Sequence, residues 1–141
     1  MERNNWAASP TRRWRTQPPG ARGRPVQVSG TASGHAEHLT DGDRETWWQA
    51  DASQAQITVL LGEYGPIGDV RLEEAIAFGQ RIAAFAVDVR RWDTFYEVAR
   101  GTTISAQRIL RLEACSGEAI RIRILDSQAP AGLSRIQVYA G

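Results

Sequence analysis

Ile120-Arg121-Ile122-Arg123-Ile124 shows the clearest alternation of apolar and charged side chains in the sequence. Successive side chains of a β-strand point to opposite faces, so this stretch predicts a strand with one apolar face and one arginine face. The apolar face needs a second apolar surface to cover it, and in an all-β protein that surface is another sheet. The stretch therefore predicts a strand in the core of a layered β-structure.

Similar strand signals recur on both sides of this stretch, separated by turn residues. The longest is a period-2 segment in which Ala83, Phe85, Val87 and Val89 share one face. Trp92-Asp93-Thr94-Phe95 predicts a hairpin connection out of that segment. The remaining strand signals lie at 26–28, 57–61, 70–73, 96–99, 104–112 and 136–139.

One stretch, residues 73–85, is also compatible with a helical turn. Gly79 and the strand-rich flanks favour a loop that leads into a strand. Seven or eight short strands, frequent turn signals and the lack of a long helical pattern predict an all-β fold. The predicted architecture is an antiparallel β-sandwich of about eight strands.

Length and composition exclude several classes of protein. A chain of 141 residues suits one domain with a single core. Cys115 is its one cysteine, which excludes an intrachain disulfide and a cysteine-based zinc cluster. No apolar run approaches the ~18 residues that a membrane helix needs, so no membrane partner is expected. The first residues show no apolar segment typical of a secretion signal, and the cellular location stays open.

The first 24 residues differ in composition from the rest. They carry six arginines and one glutamate, a net charge of +5, and since the whole chain is +1 the remainder is −4. With their prolines and glycines, they predict a disordered leader over 1–24 and a folded domain over 25–141. Trp6 and Trp14 among the arginines could stack on nucleic-acid bases, but the acidic body predicts no nucleic-acid footprint.

A polar loop precedes the adjacent Trp47 and Trp48. Its Asp-Gly dipeptide is a strong turn former, and Asp41, Asp43 and Thr46 place three oxygen-bearing side chains close together. Such a loop either holds a hard cation or uses its carboxylates to bind its own backbone N–H groups. The two indoles predict an aromatic anchor that fixes the loop to the core.

The same loop and the last strand resemble a known family. Residues 41–43 with Thr46 and Trp48 resemble the opening loop of discoidin-like (galactose-binding-like, coagulation-factor type C) β-sandwich domains, and residues 133–139 resemble their final strand. The resemblance implies a galactose-binding-domain-like jelly roll. A narrower similarity, to the C-terminal sandwich of α-L-fucosidases, is carried by residues 70–76, 79–82, 85–88, 101–104 and 107–110.

The resemblance also implies a metal site. Carbohydrate-binding relatives often hold a structural Ca²⁺ with this loop, its threonine and an acidic residue after the serine of the last strand, where this chain has Arg135. Asp41, Asp43 and Thr46 are therefore candidate ligands. Arg135 is predicted to replace the ion by pairing with Asp41 or Asp43, so that no cofactor is needed.

In α-L-fucosidases catalysis belongs to a (β/α)8 barrel that precedes the sandwich. Such a barrel needs ~250 residues, so this chain is expected to be a non-catalytic accessory domain and not an enzyme. One hypothesis is a module that binds a fucose- or galactose-containing glycan. The other is a structural appendage that docks on a catalytic barrel and binds no sugar. A binder of proteins or phospholipid is disfavoured because the predicted loops are short and polar.

Sugar recognition uses aromatic rings against C–H patches and polar side chains for the hydroxyls. On this basis the candidate sugar-binding residues are His35, Arg44, Trp47 and Trp92. Alternatively, Trp47 covers a neighbouring strand, Trp92 belongs to a protein interface, and His35 is a surface or capping residue.

The arginine face of Arg121 and Arg123 is a further candidate, for an anionic glycan. Its alternative is a set of solvated arginines paired with Glu113, Glu118 or Asp126.

Overall fold

The computed structural model describes residues 23–43 and 45–140, and their backbone is mostly antiparallel β-sheet. This confirms the predicted all-β class. The strands in chain order are β1 (Val26–Val28), β2 (Thr31–Gly34), β3 (Trp48–Ala50), β4 (Ala55–Glu74), β5 (Ile82–Arg91), β6 (Thr94–Gly101), β7 (Arg108–Ser127) and β8 (Gly132–Val138). Two 3-10 helices, Ala36–Thr40 and Ile76–Phe78, lie in the connections before β3 and β5.

Two strands of 20 residues each, β4 and β7, take part in both layers of the sandwich. The first half of β4 pairs with the second half of β7, and the second half of β4 with the first half of β7. The register shifts between Leu60 and Gly65, where the intervening residues bulge out of the ladder. One layer therefore contains β1, β5 and β6 with one pair of halves, and the other contains β2, β3 and β8 with the other pair.

The core lies between these layers, where the apolar faces of the alternating strands meet. Ile120, Ile122 and Ile124 are buried in it, as the alternation predicts. Trp48 is fully buried, and its indole N–H donates to the Thr31 hydroxyl over 2.7 Å. A buried indole needs a hydrogen-bond acceptor for its N–H, so this contact completes the predicted aromatic anchor.

The alternation pattern places Asp88 on the outer face of β5, where it would be exposed to solvent, but the structure buries it. Asp88 is only 1% exposed. Its carboxylate accepts hydrogen bonds from the Arg121 Nε (2.8 Å) and the Arg123 Nε (2.7 Å) on β7, and Arg123 also reaches Glu97 on β6 at 2.7 Å. The arginine face therefore lies over Asp88. The predicted pairing of Arg121 and Arg123 with Glu113, Glu118 or Asp126 was wrong, because strand pairing brings distant carboxylates closer than sequence neighbours.

The same contacts set the ionisation of this cluster. Burial by itself raises the pKa of the Asp88 carboxyl, but hydrogen bonds from Arg123 and Arg121 outweigh it and hold the pKa below its ordinary value of 3.8. Hydrogen bonds from Arg100 and Arg123 likewise lower the pKa of Glu97. The cluster therefore stays charged at neutral pH, with its donors and acceptors paired to one another.

The sandwich has two ends, which β5 joins. Arg81 precedes β5 at one end, and the two-residue turn of Trp92 and Asp93 follows it at the other. We refer to these as the Arg81 end and the Trp92 end. Ten residues of extended strand span roughly 30 Å, so groups at the two ends do not contact the same small ligand.

The predicted domain boundary falls just before β1. The Gly23 N–H donates to the Thr40 carbonyl over 2.8 Å, and the Thr40 hydroxyl donates to the Arg24 carbonyl over 3.1 Å. Residues 1–22, with Trp6 and Trp14, lie outside the described residues, so the leader stays a prediction. Within the described part of the chain, no helix is long and apolar enough to span a bilayer.

Candidate functional site

Trp47 organises the surface at the Arg81 end. Its carbonyl oxygen accepts a hydrogen bond from the His35 N–H over 3.3 Å and lies 3.2 Å from the His38 Nδ1. Its indole N–H donates to the Ser33 hydroxyl over 3.2 Å. Because that N–H is already used, the half-buried ring of Trp47 offers a ligand an apolar surface and no donor.

Phe78 and Arg81 extend this surface. The Phe78 ring meets the Trp47 ring edge to face, with centroids 5.9 Å apart, and the Arg81 guanidinium lies 5.4 Å from the Phe78 centroid. Arg81 Nη1 donates to the Pro130 carbonyl over 2.8 Å, which fixes the guanidinium while its other N–H groups remain available. The result is an aromatic pair with a fixed cation at its edge.

Two glycines allow this packing. Gly34 has φ +75°, and a Cβ there would lie 2.1 Å from the Trp47 carbonyl oxygen. A Cβ on Gly132 would lie 2.3 Å from the Phe78 ring, so that ring rests directly on the β8 backbone. Gly34 and Gly132 both lack the Cβ that would clash with these neighbours, and Gly34 also has a positive φ that favours glycine.

His35 completes the rim of the surface. It is exposed, and its ring meets the His38 ring edge-on with centroids 5.1 Å apart. Aromatic faces pack against the C–H side of a pyranose, whereas imidazole and guanidinium groups hydrogen-bond its hydroxyls. The group formed by His35, Trp47, Phe78 and Arg81, which we call the Trp47 surface, has the chemistry to bind a neutral sugar.

The carboxylate that holds the segment of Arg81 is structural. Glu74 accepts hydrogen bonds from the backbone N–H groups of Arg81 (2.8 Å), Ile82 (3.3 Å) and Ser105 (2.9 Å). Retaining glycoside hydrolysis needs two carboxyl groups about 5–5.5 Å apart that both face a sugar. Glu74 is buried and holds the loops in place, which suits a support for the surface and not an acid or nucleophile.

The structure brings together only part of the predicted sugar site. His35 and Trp47 lie side by side, but Trp92 is at the opposite end, roughly 30 Å away. Arg44 lies outside the described residues. Phe78 and Arg81 were not among the candidates, although a phenylalanine and an arginine flanking Gly79 (φ +70°) are a typical sign of a displayed loop.

The Asp-Gly-Asp loop binds its own backbone. Asp41 Oδ1 accepts from the Asp43 N–H over 2.8 Å, Asp43 Oδ1 accepts from the Glu45 N–H over 2.8 Å, and the Thr46 hydroxyl donates to Asp41 Oδ2 over 2.9 Å. Ca²⁺ prefers 6–8 oxygen ligands. Among residues 23–43 and 45–140, no group of three or more His, Cys, Asp or Glu side chains is arranged to hold a metal. The described side chains of the loop therefore hydrogen-bond its own backbone N–H groups and the Thr46 hydroxyl.

Arg135 does not take the predicted place of the ion. Its Nη2 lies 2.6 Å from Glu73 Oε2, and its Nε lies 3.2 Å from the same oxygen. The predicted pairing with Asp41 or Asp43 was therefore wrong. The strand register explains the difference, because Glu73 of β4 lies directly opposite Arg135 of β8. The Arg135 guanidinium therefore forms its ion pair with this buried carboxylate on the adjacent strand.

Comparison with sequences gives one significant curated relative. A putative α-L-fucosidase 1 from Oryza sativa subsp. japonica is 24% identical over 96 residues, which cover 67% of this chain and 19% of the rice protein. No protein-family model matches the chain.

Several solved structures superpose on most of this chain. A protein designated SpGH29 superposes with a TM-score of 0.81 and 33% identity, covering 86% of this chain and 28% of that chain. A GH29 fucosidase from Ruminococcus gnavus, in complex with fucose, has a TM-score of 0.77 and 29% identity, and the match covers 87% of this chain and 26% of that chain. A family 32 carbohydrate-binding module from C. perfringens, in complex with galactose, has a TM-score of 0.77 and 17% identity, and the match covers 86% of this chain and 96% of that chain.

The fold is a discoidin-like β-sandwich. The predicted resemblance to carbohydrate-binding modules and to the sandwich of α-L-fucosidases is confirmed by these neighbours. The chain matches nearly the whole of the carbohydrate-binding module, about a quarter of the GH29 chains and about a fifth of the rice protein. These proportions agree with a non-catalytic domain.

Proposed function

We propose that this chain is a non-catalytic accessory domain that binds a neutral glycan through the Trp47 surface. The observation that carries the proposal is the contact between the Trp47 and Phe78 rings with Arg81 fixed at their edge. A pyranose placed on this pair would bury its C–H face on aromatic carbon. Its hydroxyls would accept from the free Arg81 N–H groups and meet the exposed His35 ring.

The similarity to fucosidases suggests the wider protein in which the domain works. Identity is 33% and 29% to the GH29 chains but 17% to the carbohydrate-binding module. These identities support our proposal that the domain works beside the catalytic barrel of an α-L-fucosidase, where weak binding of a fucose- or galactose-containing glycan would raise the local concentration of substrate.

Calorimetric titration with methyl α-L-fucoside and methyl β-D-galactoside tests the proposal. We expect weak, saturable heat with at least one sugar and a loss of at least tenfold in affinity for Phe78→Ala. Tyr96→Ala is the matched control, since it removes an exposed aromatic ring from β6 and should leave the affinity unchanged. Absence of heat with both sugars from a folded wild-type chain would contradict sugar binding at this surface.

A second candidate function, docking on a catalytic barrel without sugar binding, is favoured by a different surface. A cavity of about 260 Å³ lies between β6 and β7, and its lining combines the apolar Val98, Leu110 and Leu112 with the charged Arg91, Arg111 and Glu113. Protein interfaces that are not obligate combine apolar and polar side chains in this way.

The docking function makes its own prediction for the isolated chain. If this groove docks on a barrel, its uncovering in the isolated chain should cause concentration-dependent self-association, and Leu112→Glu, in the groove lining, should reduce that association without changing the affinity for either methyl glycoside. Size-exclusion chromatography across a tenfold concentration range measures this. A strictly monomeric wild-type chain would count against docking through this groove.

A further inference from the structure

The Trp92 end carries a second aromatic surface that the proposed function does not use. Tyr64, in the bulge of β4, and Trp92, in the turn between β5 and β6, stack with ring centroids 4.9 Å apart and planes 9° from parallel. They are 45% and 72% exposed. We infer that this stacked pair is a second glycan-binding platform, independent of the Trp47 surface, which takes a pyranose ring of a neutral oligosaccharide on the free face of the indole.

The exposure of the pair is itself unusual. Large aromatic side chains that face water without a partner lose the burial that normally stabilises them, about 25 cal/mol for each Å² left exposed. Tyr64 covers one face of Trp92, and the high exposure of Trp92 leaves its other face to solvent. In the described part of the chain the Trp92 indole N–H makes no hydrogen bond, so a donor remains at the edge of the platform.

The platform is held rigidly. Trp92 has φ 60°, a conformation that L-residues adopt at a cost of order 1–2 kcal/mol and that tight hairpin turns normally assign to glycine. Its backbone N–H donates to Glu118 Oε1 over 2.8 Å, and Glu118 Oε2 lies 3.6 Å from the Arg90 Nε. A strained residue that the surrounding contacts fix in place is a common feature of binding sites.

The surroundings of the pair favour a sugar over an apolar protein partner. Glu63 and Asp93, which adjoin Tyr64 and Trp92 in sequence, are both exposed. A flat aromatic face with exposed carboxylates next to it matches a pyranose, which has C–H groups on one face and hydroxyls around its edge. An obligate protein interface would instead continue the apolar area.

Two sugar-binding surfaces at opposite ends would make the domain bivalent. They lie roughly 30 Å apart, so they would engage distant segments of one polysaccharide or two neighbouring chains. Bivalent attachment raises apparent affinity for a polymer without improving either single site.

The experiment follows the side-chain N–H signals of tryptophan by nuclear magnetic resonance in the ¹⁵N-labelled 141-residue chain. Trp92→Phe and Trp47→Phe assign the two relevant signals among the five tryptophans. The chain is titrated with methyl β-D-galactoside, methyl α-L-fucoside and cellotriose. We expect the Trp92 signal to shift saturably with at least one of these sugars and to keep that response in Phe78→Ala. Tyr64→Ala should weaken it at least tenfold.

Tyr96→Ala is the control, because Tyr96 is as exposed as Tyr64 (47% against 45%) but is not in the stack. A Trp92 signal that none of the three sugars moves overturns the inference. A Trp92 signal that shifts with protein concentration alone indicates self-association and also overturns the inference. A sugar response of Trp92 that is unchanged in Tyr64→Ala overturns it as well. The Trp47 signal reports the proposed function separately: movement of Trp47 alone leaves that function standing, and movement of Trp92 alone supports the second platform by itself.

Discussion

At the scale of single residues, the buried carboxylate of Asp88 is the most consequential charge in the described part of the domain. It lies beneath Arg121 and Arg123, and each guanidinium donates to it within 2.8 Å. Buried ion pairs contribute little compared with apolar packing, but removal of one partner leaves an uncompensated charge and is costly. Asp88 therefore determines whether the arginine face of β7 is tolerated.

Asp88→Asn should lower the free energy of unfolding by about 3 kcal/mol, because two arginines then share a neutral partner in a buried position. Urea denaturation followed by circular dichroism measures the change. Asp93→Asn, which alters an exposed carboxylate in the turn after the same strand, is the control and should stay within about 0.5 kcal/mol of the wild type.

The lowered pKa of Asp88 predicts the direction of acid sensitivity. A carboxyl whose pKa is lower folded than unfolded contributes stability that is present above the unfolded value, 3.8, and is lost as the pH falls through the folded value. The thermal midpoint should therefore decline as the pH drops below about 4. Asp88→Asn should show a shallower decline over that range, and an equally steep one would contradict the assignment.

At the scale of elements, the positions of the strands follow from the sequence, but the points at which one stretch continues into the next do not. Alternation predicted the core strand of β7 and the hairpin between β5 and β6. The signals at 57–61 and 70–73, however, belong to a single bent strand, β4, because residues between Leu60 and Gly65 bulge without ending the ladder. Gly65-Pro66 looks like the end of a strand in the sequence, whereas in the structure β4 stays paired with β7 on both sides of the bulge, with a shift in register across it.

The turn between β2 and the first 3-10 helix offers a sharp test of local geometry. Gly34→Ala adds a Cβ to a positive-φ residue and drives it into the Trp47 carbonyl, whereas Gly79→Ala adds the same strain with nothing within 4 Å. Gly79→Ala should cost about 1 kcal/mol, and Gly34→Ala clearly more. Thermal unfolding compares the two, and equal costs would show that the contact with Trp47 does not matter.

The acidic loop gives a prediction about metal removal. Because Asp41, Asp43 and Thr46 satisfy one another and the loop backbone, we propose that Ca²⁺ is not needed for folding. The thermal midpoint should be the same, within error, in excess EDTA and in about 5 mM CaCl₂, which is above the dissociation constants of weak extracellular sites, about 0.1–1 mM. A rise of several degrees with calcium would contradict this.

At the scale of the whole molecule, the fold was predictable and the site was only partly so. Strand patterning and the discoidin-like motifs predicted the sandwich. The Trp47 surface combines residues from the connection between β2 and β3 with residues from the connection between β4 and β5, which only the folded layers bring together. Sequence reasoning therefore named His35 and Trp47 of this proposed surface, did not name Phe78 or Arg81, and grouped Trp92, which lies at the other end, with them.

The two distant aromatic surfaces and the groove between β6 and β7 separate the candidate roles of the molecule. The Trp47 surface is proposed for glycan, the Tyr64–Trp92 pair for a second glycan contact, and the groove between β6 and β7 for a catalytic barrel. Each can be removed by one substitution that leaves the others in place, so the roles can be assigned independently.

Incubation of the labelled 141-residue chain with a glycan array tests the central claim most directly. Because the Tyr64–Trp92 pair is proposed as a separate platform, the comparison is made in Trp92→Ala. We expect Trp92→Ala to bind a subset of galactose- or fucose-terminated glycans and the triple variant Trp92→Ala/Phe78→Ala/Arg81→Ala to lose that signal, with both proteins showing a β-rich dichroism spectrum. A folded Trp92→Ala chain that binds no glycan, or a triple variant that binds the same set equally well, would contradict the account.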